Sequence, residues 1–208
     1  MKRTIYTGIT VLLAAGLMSF CSPGEQDQSA ALTDDCTFTY SPEDTSVEWT
    51  AFKFTEKAAV GGGFNTFQIN GTADASSQLD VFKNATFTID TDSVDSGNDG
   101  RDAKIKEHFF GKMSEAGIKG SVKSLDGNNA VIVVTMNGQS QEVPVQLSVD
   151  GRDVALTGSI DVNNWDASGP LAALNEVCKA LHTGSDKVSK LWPDVDIKLQ
   201  TSLKADCK

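Results

Sequence analysis

The chain is poor in the residues from which metal and nucleophilic enzymes are built. It holds two histidines and four cysteines among 208 residues, and no Cys-x-x-Cys pair, which leaves little material for a metal centre. It has no Gly-x-Ser-x-Gly, no P-loop and no His-Glu-x-x-His, so no familiar catalytic signature is present. Gly61-Gly62-Gly63 is followed by neither Gly-Lys-Ser/Thr nor a helical pattern, which excludes a phosphate loop. Basic charge is also scarce: 18 Lys and Arg stand against 28 Asp and Glu, for a net charge of −10. That balance argues against nucleic acid as a partner and against an electrostatic grip on anionic lipid. No apolar run reaches the roughly 20 residues of a membrane-spanning helix. With 39% hydrophobic residues, the chain has enough for one well-packed domain.

The first twenty residues form an export signal. Lys2 and Arg3 precede a short apolar run from Ile9 to Leu17, too short to span a membrane. Beyond residue 20 the chain carries 16 basic and 28 acidic residues, a net −12. The stretch Leu17-Met18-Ser19-Phe20-Cys21 resembles a bacterial lipobox, with Leu one place early and Phe20 in place of a small residue. The resemblance implies that Cys21 is acylated and becomes the membrane anchor. Ser22 behind it, by the usual Gram-negative sorting rule, implies the outer membrane. The alternative is a plain secretory signal with an incidental Cys. Residues 21–35 are polar and read as a flexible tether. The folded domain is expected over 36–208.

From Cys36 onward the pattern is β. Val143, Val145, Leu147 and Val149 alternate with polar residues, as do Val154, Leu156, Ile160 and Val162, and again Val195, Ile197, Leu199 and Leu203. A period of two marks strands with one dry and one wet face. Asp126-Gly127-Asn128-Asn129, Asn137-Gly138 and Asp150-Gly151 supply tight turns, so residues 117–163 read as a four-stranded meander. Further strands are expected at 46–55, 59–71, 79–90 and 194–205, with Gly61 to Gly63 marking a bend or bulge. The class is therefore all-β: an eight-stranded antiparallel barrel, closed because closure removes exposed edges.

Two short helices interrupt it. One is expected at 101–112, capped by Asp99 or Asp102. The other is expected at 170–182, started by Pro170, stopped by Gly184 and apolar at Leu171, Leu174, Val177, Cys178 and Leu181. It reads as a lid or plug over one barrel mouth.

The segment FTIDTDSVDSGNDGRDAKIKEHFFGKM, residues 87–113, resembles the signature of the YceI-like family. SVEWTAFKF, VGGGFNTFQINGT, VTMNGQSQEVPVQLSV and WPDVDIKLQTSL are similar to the same family's strands, so the likeness spans about residues 38–204. Lys53 and Phe54 stand where the family commonly has a His, and residues 175–190 are longer than its pattern. The resemblance implies a lipocalin-like barrel, exported to the periplasm, that carries a long isoprenoid or quinone-type lipid in an apolar tunnel, with no cofactor and no catalysis. The residues expected to face that tunnel are Trp49, Phe64, Phe67, Phe87, Ile89 and Phe110 on the first half. On the second half they are Val145, Leu147, Leu156, Ile160, Ile197 and Leu199. Each could equally be ordinary core, giving a side-chain-filled barrel that binds a protein partner or acts in stress. Burial of each CH₂ of a lipid is worth roughly 0.8 kcal/mol, so a long chain needs no polar anchor.

Arg101 reads as holding its loop by pairing with an acid. In a closed antiparallel barrel the start of the first strand lies beside the end of the last, which favours a Cys36–Cys207 disulfide over Cys36–Cys178. Cys178 and His182 are four apart on the expected helix and share a face. The pair is too small for a metal site, and a buried Cys beside a His at a helix end explains it.

Overall fold

The computed structural model describes residues 35–72 and 74–208. The signal segment, Cys21 and the tether up to residue 34 lie outside them. The chain begins with β1 (Cys36–Thr39) and continues into β2 (Thr45–Lys53), β3 (Ala58–Phe64), β4 (Phe67–Asn70), β5 (Thr86–Ile89) and β6 (Val94–Asp95). After α1 (Asp99–His108) comes the expected meander: β7 (Ile118–Asp126), β8 (Asn129–Met136), β9 (Gln139–Asp150) and β10 (Asp153–Asp161). The helices α2 (Ser168–Val177) and α3 (Lys179–His182) lead to β11 (Leu191–Ser202) and β12 (Lys204–Cys207).

Ten strands form one antiparallel sheet in the order β4-β5-β7-β8-β9-β10-β11-β2-β3-β6. Its two ends, β4 and β6, are the second halves of chain runs whose first halves, β3 and β5, lie inside the sheet. Residues 63–70 face residues 86–95: Phe64 pairs with Val94 and Phe67 with Ile89. Between them, the Asn65 and Asp90 N–H groups donate to Ser93 O and Thr66 O at 3.1 and 3.0 Å. The ladder is thus continuous and the sheet closes. Eight chain passes make the barrel, as expected, but two of them are broken, which gives ten strands.

Other boundaries differ in instructive ways. Residues 79–82, expected as strand, form a 3-10 turn that buries Val81 and Phe82. Apolar residues at 79, 81 and 82 fit a tight helical turn as well as a strand end. The first helix is capped by Asn98, whose side chain accepts from the Arg101 N–H at 2.9 Å, rather than by Asp99 or Asp102. The expected 170–182 helix begins at Ser168 and breaks at Cys178 into α2 and α3. No bulge occurs at Gly61–Gly63, where the β2–β3 register is unbroken. The turns behave as their residues dictate: Asn137 and Gly138 both take positive φ, 51° and 75°, as a two-residue hairpin needs.

Each barrel end has its own cover. At one end β1 pairs with β12 as a separate two-stranded ribbon, bridged by the Cys36–Cys207 disulfide. Phe38, Val81, Phe82, Val154 and Leu203 are buried beneath it and form the floor. At the other end α1, α2 and residues 109–112 lie over the opening and form the roof. Among the described residues Cys178 is the free cysteine, and it is buried.

Candidate functional site

The barrel interior holds two adjoining compartments. The lower one, about 150 Å³, runs from Phe82 and Val154 of the floor, with Leu125, to Trp49 and Ile160. The upper one, about 140 Å³, runs from there to Ile105, Leu171 and Leu174 of the roof helices and to Trp192. Each is roughly ten times the space that one buried water needs. Trp49, Phe64, Ile118, Met136, Ile160 and Ile197 line both, so the two lie end to end about a shared waist of side chains. Glu48 and Lys198 border the lower compartment; otherwise its wall is hydrocarbon and aromatic carbon.

Two aromatic rings shape the wall, and glycine makes room for each. Trp49 pairs across strands with Gly62, and a β-carbon on Gly62 would stand 2.4 Å from the indole. The indole N–H donates to Gly63 O at 3.3 Å. Phe87 pairs with Gly120 in the same manner, where a β-carbon would stand 2.4 Å from the phenyl ring. The glycine run therefore seats a ring instead of bending a strand. At the roof, Phe110 meets Phe64 at 6.0 Å and Phe109 at 5.1 Å, the latter edge to face.

Eleven of the twelve residues expected to face the interior line these compartments. Trp49, Phe64, Phe67, Phe87 and Ile89 border the lower one, as do Leu147, Leu156, Ile160, Ile197 and Leu199. Phe110 borders the upper one. Val145 is buried but lines neither; its Cγ1 fills the space that Gly158 leaves on β10. Sequence reasoning missed the contribution of β8, where Ala130, Ile132, Val134 and Met136 line the lower compartment. Val131 and Val133 on the opposite face hid the alternation. It also missed Trp192, whose role depends on the loop that precedes β11.

That rim is held by an unusual backbone. Phe54 has φ of 61°, a left-handed conformation that bulky residues rarely adopt. Its N–H donates to Lys190 O at 2.9 Å, and its carbonyl accepts from the Trp192 indole N–H at 2.6 Å. Lys57 and Lys190 place their ammonium groups 4.5 and 4.2 Å from the Trp192 ring, and Lys53 lies 4.7 Å from the Phe54 ring. His182, half-buried nearby, contacts Asn175 Oδ1 through Nδ1 at 2.9 Å. Burial, and then the charges of Lys53 and Lys104, push its pKa below the usual histidine range. Among the described residues no three potential ligands gather to hold a metal.

Arg101 and Asp102 sit outside the tunnel. Arg101 donates to Ser96 Oγ at 2.7 Å and Ser96 O at 2.6 Å, while buried Asp102 accepts from the Ser96 N–H at 3.0 Å and from its hydroxyl. Ser96 thus stands between the two. The Arg pairs with a serine and a carbonyl, not directly with an acid.

The sequence profile of the YceI-like domain matches residues 38–203. Among curated proteins, none matches the chain. Among solved structures, the fold is similar to that of BcnA from Burkholderia cenocepacia, at 14% identity and a TM-score of 0.53, over 80% of this chain and 99% of that one. It is also similar to a polyisoprenoid binding domain from Saccharophagus degradans implicated in plant cell wall breakdown. That match has 11% identity and a TM-score of 0.54, over 84% of this chain and all of the other.

Proposed function

The chain belongs to the YceI-like family, and from that premise we propose that it binds a long apolar lipid inside the barrel and shields it from water. The observation that carries this reading is the pair of adjoining apolar compartments, which share six lining residues and together extend from floor to roof. Such a shape suits a flexible chain better than a compact ligand. A wall of carbon binds by excluding water, at roughly 0.8 kcal/mol per CH₂ buried, and offers no group that would do chemistry on the cargo. The similarity to a polyisoprenoid binding domain supports an isoprenoid or quinone-like chain. The protein is then a carrier and not an enzyme.

The setting follows from the same reading. An exported protein keeps its disulfide, and the Cys36–Cys207 bridge accords with the periplasm. The lipobox-like segment ending at Cys21 would hold the carrier to the outer membrane. The test is solvent extraction of residues 22–208, which lack the anchoring Cys21, purified from a bacterial periplasm, followed by mass spectrometry. A long-chain isoprenoid at about one per protein is expected. Lipid-free protein that also takes up no added quinone would overturn the carrier and favour a partner-binding barrel. Phe87→Arg should abolish lipid uptake, because it places a charge in the lower compartment's wall.

A further inference from the structure

Hydrophobic exposure is concentrated on one part of the outer surface. Among the described residues four large hydrophobic side chains are exposed: Val149, Val177, Leu181 and Val188. Three of them belong to the arm of residues 175–190, which leads from the end of α2 through α3 toward β11. The arm is tied across itself. Asn175 Oδ1 accepts from the Ser189 hydroxyl at 3.2 Å and meets His182 Nδ1 at 2.9 Å, and the Lys190 N–H donates to His182 O at 3.0 Å. The exposed aliphatic groups therefore stand on one framework. Three such side chains on a broken helix and a loop fall well short of the ~800 Å² per partner of a stable protein interface. Apolar groups exposed among charged neighbours also mark membrane contacts.

The charge around them is a second, independent observation. Beyond residue 20 the chain carries a net −12, and the floor end follows that balance: residues 35–44, 126–129, 150–153 and 204–208 hold seven acids against three bases. The arm has the opposite sign. With the hairpin 53–57, which reaches it through Lys53 Nζ to Leu181 O at 3.2 Å, it carries five lysines against three acids. Lys57 is paired with Asp194 at 2.7 Å and Lys179 with Glu176 at 3.7 Å. Among the described residues, Lys53, Lys187 and Lys190 have no acid within ion-pair distance. The arm's own Asp186 is engaged by the Thr55 hydroxyl at 2.6 Å and the Val188 N–H at 3.0 Å.

We propose that the outer face of this arm docks the protein on an anionic phospholipid bilayer, with Val177, Leu181 and Val188 entering the headgroup layer and the unpaired lysines meeting lipid phosphates. The insertion is shallow, because α3 spans only Lys179–His182 and no described helix is long and apolar enough to cross a membrane. The overall charge argues against an electrostatic grip by the chain as a whole; the arm is where the average fails. An anionic surface attracts the arm and repels the floor, so the docked barrel stands roof-down. Cys36 lies at the floor, so the contact is separate from any anchor that precedes it. The inference does not depend on what the interior holds.

The test is flotation of residues 22–208, which lack Cys21, with vesicles of phosphatidylcholine alone or with about 30% phosphatidylglycerol. Binding to the anionic vesicles should be at least about fivefold stronger, the worth of one lysine near such a surface. Leu181→Ser/Val188→Ser should weaken binding to both vesicles by about tenfold, with the denaturant midpoint unchanged. Val149→Ser, at the exposed valine of β9, should alter neither. Lys187→Gln/Lys190→Gln should erase the preference for anionic vesicles and keep the binding to neutral ones. Wild-type protein that floats with neither vesicle would overturn the proposal. So would a serine pair that floats like the wild type, or a loss in Val149→Ser equal to that of the serine pair. A dimer in size exclusion that the serine pair abolishes, with no flotation, would overturn it in favour of a second copy on the arm.

Discussion

The two ends of the barrel are built on opposite principles. The floor is covalent and dry: a disulfide staples β1 to β12, and Val81, Leu203 and Phe38 beneath it are 0%, 1% and 4% exposed. The roof is assembled from short helices with breaks, and the α3 segment and loop that continue it leave Leu181 60% exposed and Val188 46% exposed. Its hydrophobic residues at Leu171 and Leu174 are only half-buried and border open volume. The proposed carrier role would use this asymmetry, because a barrel open at both ends would leak and one sealed at both would not load. Local opening is cheapest where few apolar contacts are lost, so on the proposed carrier reading the roof is the portal and the floor is the stop.

The largest effect that could break this contrast is a charge placed in the floor. Leu203→Asp should cost about 4 kcal/mol or more, read as a loss of denaturant midpoint, because it buries an unpaired carboxylate. Leu181→Asp in the roof should change stability by no more than about 0.5 kcal/mol. Equal losses would end the distinction. Next comes the staple: Cys36→Ser/Cys207→Ser should lower stability by about 2–5 kcal/mol, because the bridge closes a very long loop. It should leave lipid release from the roof unchanged. A smaller change sharpens the portal. Leu174→Ala should cost about 1–2 kcal/mol, less than a fully buried leucine, and should accelerate dissociation of bound lipid in a vesicle-transfer assay.

The smallest effect is one of pH. The folded state holds His182 below its ordinary value of 6.5, chiefly by burial. The unfolded chain therefore binds this proton first as pH falls. The contribution of His182 is complete above about pH 6.5 and is lost as pH drops through the lowered folded value. Hydrogen exchange at pH 5 should accordingly rise in α3 and the residues around it before it rises in the floor. His182→Gln should remove the difference.

Much of this is legible in the sequence alone, for reasons that differ by region. The strands at 143–149 and 154–162 alternate cleanly because one face is wet, and the structure places them as β9 and β10. In β8 both faces are apolar, so the period disappears and its lining residues escaped notice. The glycine run at 61–63 was misread because its cause lies on another strand, in the ring of Trp49. No local pattern announces a ring that needs room. The Cys36–Cys207 pairing followed from topology alone. The rim did not: Lys53 and Phe54 lie far in the chain from Lys190 and Trp192 and meet them only once β11 has paired with β2.

The staple also decides how the molecule bears load. Cys36 and Cys207 lie at the outer ends of the domain, and residues 37–206 form the loop between them. A tension applied to the chain before Cys36 and after Cys207 passes from one to the other through sulfur. The barrel hangs beside that path without carrying it. Pulled by its ends in an optical trap, the oxidised protein should show no unfolding step at forces that leave the bridge intact. With the bridge reduced, the same pull should peel β1 and β12 away first and then open the barrel along its first and last long passes, β2 and β11.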